Sequence, residues 1–267
     1  MTVCIAAACR DGNEKKIVVC TDKKLSSALG SAETSFKAPP LPNGWHCLTA
    51  GDEPDIHALW KLYQIRFMEP ENLTAITIDA SMKAPLHQRK AQLAEEYIQR
   101  RFAISYEEFM KEGKTRLPPE LFYDAFQKVT HLSLKAEFIV TGFISNFPEI
   151  YHTDNEGIAR AAYNFAVVGE GEYIAHSTLL RRSQNDFTPL HKTLYNVYEA
   201  KKLAEAIPSV GPMTYMGIIS TDGETTQTSV AFDAQLEKWY NTYGPKVLPP
   251  EDLKYECKMY YEREKQR

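Results

Sequence analysis

The stretch VCIAAACRDGNEKKIVVCTD, residues 3–22, constrains the fold more than any other part of the chain. Two apolar runs, TVCIAAA and KKIVVCTD, are joined by RDGNE, and the Asp-Gly pair marks a hairpin turn. Termini are poorly ordered unless something ties them down. Here the apolar run begins by residue 3, so Thr2 is expected to sit inside the fold. The arrangement is best explained if Met1 is removed and Thr2 becomes the true N-terminus.

A chain of 267 residues with 43% hydrophobic content is long enough to bury a real core. The net charge of -4 and pI near 6.0 argue against a nucleic-acid partner or a polybasic membrane surface. Cys4, Cys9, Cys20, Cys47 and Cys257 show no metal-ligand spacing and read as reduced thiols, four of them in apolar stretches. Ala6-Ala7-Ala8-Cys9 looks a little like a lipoprotein cleavage site, but the apolar run before it is short and no basic segment precedes it. No segment approaches the roughly 20 apolar residues of a membrane span. The expected location is the cytoplasm, with no membrane partner.

After the hairpin, LSSALGSAETSFKAPPLPNG reads as loose, WHCLTA as a short strand, and DEPDIHALWKLYQIRF as a helix with an acidic first turn. A second helix is expected within MKAPLHQRKAQLAEEYIQRRF. Further helix follows, broken near Gly113 and at Pro118-Pro119. The pattern then returns to strands in AEFIVTGFI, PEIYHTD, GIARAAY and NFAVVGEG, to helices in EYIAHSTLLRR and TPLHKTLYNVYEAKKLAEAI, and to strands in MTYMGIIS and TTQTSVAF. Strands, helices, strands, helices, strands fit an α+β fold of two sheets packed face to face with helices outside. One domain is expected over residues 1–233, with a partly helical, aromatic C-terminal extension over 234–267.

The Thr-Val start, VVCTDKK, LTAGD followed by HALWKLY, the FIVTGF, IYHTDNEGI and VVGEG run, and MTYMGIISTDGE occur in an order and spacing that resemble one family. These are the proteasome β-subunits and their HslV-type and Anbu-type bacterial relatives, which are N-terminal nucleophile hydrolases. The resemblance runs from Thr2 to about residue 232. It implies a four-layer αββα sandwich and a threonine peptidase. On this resemblance Thr2 matches the nucleophile, Asp22 the aspartate ending the second strand, Lys37 the catalytic lysine, and Gly51 the glycine whose N–H lines the oxyanion site. Ser209 matches a supporting serine, and Thr49 is expected near the substrate side-chain pocket. The resemblance also implies assembly into a ring or another homo-oligomer, a peptide or protein substrate, and an ATPase partner.

The chemistry needs these residue types. A threonine hydroxyl is a weak nucleophile until a base takes its proton. A free α-amine has an unperturbed pKa of about 7.7–8.0, close to working pH. A Lys37 ammonium would favour the anionic hydroxyl, Asp22 would orient Lys37, and a Gly51 N–H at a helix start would face the developing oxyanion. While Met1 remains, the Thr2 nitrogen is an amide and cannot act as a base.

Each residue also has a bland reading. Thr2 is near a terminus, Asp22 suits a strand-end turn, Lys37 suits solvent, and Gly51 suits a break between strand and helix. The chain departs from the family pattern at Gly169-Glu170-Gly171, where Glu170 replaces a serine that supports the terminal amine. It departs again at Ile207, where an aspartate is expected before Ser209. Lys37 is followed by Ala-Pro-Pro, so Lys23 or Lys24 is the alternative ammonium. A catalytically silent scaffold or binding subunit and a hydrolase of small amides on the same fold therefore stand beside the peptidase. No metal or cofactor is expected: the seven histidines form no HxH or HExxH pairing, and no phosphate-loop pattern is present.

Overall fold

A computed structural model describes residues 2–27, 30–32 and 37–245. The elements in order are strands β1 (Cys4–Asp11), β2 (Glu14–Asp22), β3 (Leu25–Ser27), β4 (Gly30–Ala32) and β5 (His46–Gly51), then helix α1 (Glu53–Phe67). A single 3-10 turn (Pro70–Asn72) precedes α2 (Ile78–Phe102), α3 (Tyr106–Arg116) and α4 (Pro119–Thr130). Strands β6 (Ala136–Ile144), β7 (Phe147–Thr153), β8 (Ala159–Ala161) and β9 (Phe165–Val168) follow. Then come α5 (Glu172–Arg181), α6 (Leu190–Ala204), β10 (Thr214–Ile219), β11 (Thr225–Gln227) and α7 (Val230–Tyr243). The fold is α+β, with two antiparallel sheets and helices. The larger sheet has the order β11-β10-β2-β1-β9 and the smaller β5-β6-β7-β8; β3 and β4 form a separate hairpin.

The opening hairpin forms where the sequence places it. Asp11 pairs with Glu14 and Cys4 with Thr21, so Gly12 and Asn13 make the two-residue connection. Its strands read as nearly continuous apolar runs because both faces are covered. On one face Cys4, Ala6, Ala8, Ile17 and Val19 share a buried cluster with Leu48, Ala50, Ile139 and Ile150 of the smaller sheet. On the other, β1 and β2 pack against α6. The smaller sheet turns Cys47, Phe138 and Val140 toward Leu59, Tyr63 and Phe67 of α1 and Met82 and Leu86 of α2. Fifteen-residue helices such as α1 are stable here because that stripe is buried, not through propensity alone.

Two expectations change: one helix break and one strand end. Gly113 does not interrupt α3; a Cβ there would sit 3.1 Å from the rings of Phe109 and Phe122, so the glycine lets α3 and α4 approach. The break between α3 and α4 falls at Leu117-Pro118, within a residue of the expected Pro118-Pro119. TTQTSVAF is a strand only to Gln227. At Ser229 the side chain accepts the Phe232 N–H and starts α7, an N-cap in a segment whose β-branched residues suggest a strand.

The chain divides into two compact units, one ending at Thr228 and one beginning at Ser229. In the second, α7 carries Phe232 edge-on to Trp239. Tyr255, Tyr260 and Tyr261 of the expected extension lie outside the described residues, as does Met1. Among the described residues no helix is long and apolar enough to cross a membrane.

Candidate active site

Antiparallel pairing brings the start of β1, the ends of β2, β5 and β9, and the starts of β6 and β10 to one end of the two sheets. Thr2 leads into β1 there and is 1% exposed. Its hydroxyl donates to Oδ1 of Asp22, the last residue of β2.

Asp22 is 0% exposed, and its carboxylate is fully engaged. Oδ1 also accepts the Val3 N–H at 3.1 Å, and Oδ2 accepts the N–H groups of Lys24 and Gly211, each at 3.1 Å. The Lys37 ammonium lies 3.2 Å from both oxygens. Lys37 is 7% exposed and donates in addition to the Lys24 carbonyl. A buried ion pair survives desolvation only when further hydrogen bonds satisfy its members, as they do here. Between the alternative ammonium groups the geometry is plain. Lys37 reaches Asp22, whereas the Lys24 ammonium is 2.7 Å from the Pro208 carbonyl and only its backbone N–H meets the carboxylate.

The backbone of Thr2 is gripped by the loop after β9. The Gly171 N–H donates to the Thr2 carbonyl at 3.3 Å. Gly169 holds φ at 94°, and a Cβ on it would fall 2.4 Å from the same oxygen, so only glycine fits. The Gly169 N–H donates at 2.9 Å to Oε2 of Glu137, which projects from β6 of the other sheet. Glu137 alternates with Phe138 and shares the inter-sheet face of Ile139. Nearby, burial and the Glu137 charge push the Glu172 carboxyl up. Gly169, Gly171, Gly211 and Glu137 are the partners that sequence reading did not assign to the site. The one available signal was a charged residue at an inward position of the apolar strand AEFIVTGFI.

The remaining expected residues lie around this cluster. Glu170 accepts a hydrogen bond from the Ser209 hydroxyl, and the pair lies toward solvent. Thr49 stands opposite Phe138, on the face of β5 turned to α1 and α2. Its N–H donates to the Lys37 carbonyl at 2.9 Å, and its carbonyl accepts the Cys4 thiol at 3.4 Å. That contact ties β1 to β5 across the sheets. Gly51 ends β5 with φ 117°, where a Cβ would lie 2.2 Å from the Lys135 carbonyl. Packing against Lys135 is therefore reason enough for glycine at this position. Cys4 is buried beside Thr2, and burial pushes its thiol well up, so it is no competing nucleophile.

The arrangement presents a hydroxyl that donates to a buried carboxylate with an ammonium beside it. That set suits proton removal from Thr2 and stabilisation of the resulting anion. Among the described residues no group of three or more His, Cys, Asp or Glu side chains is placed to hold a metal ion. No protein-family model matches the chain, and no curated protein matches it.

Proposed function

We propose that the chain is an N-terminal threonine peptidase of the proteasome and HslV type, acting through Thr2 once Met1 has been removed. One observation carries this reading: the Thr2 hydroxyl, the Asp22 carboxylate and the Lys37 ammonium meet in a single buried cluster. Three polar side chains are brought together from positions 2, 22 and 37, where apolar packing would be the less costly filling. In this reading the freed α-amine takes the hydroxyl proton as Oγ1 attacks the peptide carbonyl. It returns the proton to the leaving amine, and an ester on Thr2 remains. Water, deprotonated by the same amine, then attacks the ester, and the acid product leaves with Thr2 restored.

The packing supports the finer reading of the fold as a four-layer αββα sandwich. One apolar cluster lies between the sheets, α6 covers the outer face of the larger sheet, and α1 and α2 that of the smaller. Gly51 as oxyanion donor, Thr49 at the wall of the side-chain pocket, ring-like self-assembly and an ATPase partner belong to the same proposal. So does a cytoplasmic location, which suits the free thiols of Cys4, Cys9 and Cys47.

A second reading, a silent scaffold of this family, is favoured by one feature: Thr2 is 1% exposed and its hydroxyl is already bonded to Asp22. Hydrolysis of fluorogenic peptides by the wild type and by Thr2→Ala separates the two. A peptidase loses all turnover in the variant. A scaffold shows none in either protein and keeps its assembly in both.

A further inference from the structure

We propose that Lys201 is a positioning residue for Asp22, acting through the loop between α6 and β10; the proposal rests on the threonine-peptidase reading above. Lys201 is 0% exposed, in the buried run of residues 196–201 of α6. An ammonium is costly to bury, and a leucine or methionine would fill such a site at less cost. The charge is held at 2.6 Å by Glu205 Oε1, and it donates at 2.7 Å to the carbonyl of Pro212. Glu205 Oε2 is taken by Lys202 at 2.7 Å.

Pro212 directly follows Gly211, whose N–H is one of the donors on Asp22 Oδ2. The proline ring fixes its own φ and restricts the residue before it. Holding the Pro212 carbonyl therefore also holds the Gly211 peptide. On the site side the loop is tied by Lys24 to the Pro208 carbonyl, Ser209 to Glu170, and the Lys23 N–H to the Met213 carbonyl; its start is held by the end of α6, the Ile207 N–H donating to the Ala204 carbonyl at 2.9 Å. Lys201 supplies the side-chain tie from the helix to the Pro212 carbonyl. With it, the Gly211 N–H is held in line with Oδ2; without it, the Pro212 carbonyl keeps only the longer contact from Thr214 Oγ1 at 3.5 Å. Gly211 fixes the carboxylate that faces Thr2 and Lys37, so Lys201 acts on the site at two removes and touches none of the reacting atoms.

The test uses the full-length protein with Met1 removed, in wild-type and Lys201→Met forms, with Lys201→Gln as the second variant should the first not fold. Two quantities are read. One is labelling of Thr2 by a peptidyl epoxyketone, resolved into a maximal rate and a half-saturating concentration. The other is hydrogen exchange of the Gly211 amide, with the Ile5 amide in the middle of the larger sheet as control for global unfolding. The expected result is a maximal labelling rate lowered roughly ten- to a hundredfold with half-saturation within about twofold. Gly211 exchange should rise about tenfold while Ile5 is unmoved. Unchanged Gly211 exchange overturns the tether. Faster Gly211 exchange with an unchanged labelling rate overturns the positioning role. Equal acceleration at Gly211 and Ile5 reduces Lys201 to a general stabilising role and overturns it as well. A wild type that is not labelled at Thr2 overturns the peptidase reading and the positioning role with it, while Gly211 exchange still decides the tether.

Discussion

Gly169 rests its bare Cα against the carbonyl of Thr2, from which a methyl group would stand only 2.4 Å away. The contact joins the end of β9 to the residue that leads into β1. A side chain would either push Thr2 away from Asp22 or force the loop after β9 open. Gly169→Ala also pays about 1–2 kcal/mol for a left-handed backbone. The expected outcome is a Tm lowered by roughly 3–6 °C in calorimetry, with loss of any Thr2-dependent activity. Unchanged activity would mean that Thr2 need not be held there.

Lys37 and Asp22 form the buried pair on which the site depends. Removing one partner strands the other. Lys37→Met is expected to cost about 3–5 kcal/mol in chemical denaturation. The double variant Asp22→Asn/Lys37→Met should recover part of that stability and none of the activity. Strictly additive stability losses would show that the two residues are not coupled.

His46 bridges the two sheets, its Nε2 lying 3.1 Å from both the Gly223 carbonyl and Thr225 Oγ1. Burial lowers its pKa from 6.5, against the opposing pull of the Gly223 carbonyl and the Glu224 charge. The unfolded chain therefore binds the proton first as pH falls. This contribution to stability is fully present above about pH 6.5 and is lost as pH falls through that value toward the folded-state pKa. Urea denaturation at pH 7.5 and 5.5 should show His46→Gln losing less stability on acidification than the wild type. An identical loss would remove His46 from the account.

Burial pushes the thiols of Cys4 and Cys47 well up, and that of Cys9 up to about 12. Iodoacetamide at pH 8 should leave all three unmodified in the folded protein and alkylate them in urea. Fast native alkylation of Cys4, with Thr2 intact, would revive a thiol nucleophile at this site.

The legible parts of this molecule are those set by local pattern. The β1–β2 hairpin follows from two apolar runs and a turn, and α1 from Leu59, Tyr63 and Phe67 at helical spacing. The meeting of Thr2, Asp22 and Lys37 is an expectation of the family resemblance, with Lys23 or Lys24 as the alternative ammonium. What was not legible depends on contacts between distant segments. Gly113 reads as a breaker until the rings of Phe109 and Phe122 are placed against it. Val230, Ala231 and Phe232 read as strand until the Ser229 side chain caps them into α7. Glu137 and Gly169 are 32 positions apart and come from different sheets, so nothing local announces their hydrogen bond.

The most direct test of the central claim is the intact mass of the denatured, untagged protein before and after incubation with a peptidyl epoxyketone. The account predicts a starting mass lacking Met1, a single adduct, and fragment ions that place it on Thr2. Retention of Met1 throughout, or an adduct that forms equally in Thr2→Ala, would contradict it.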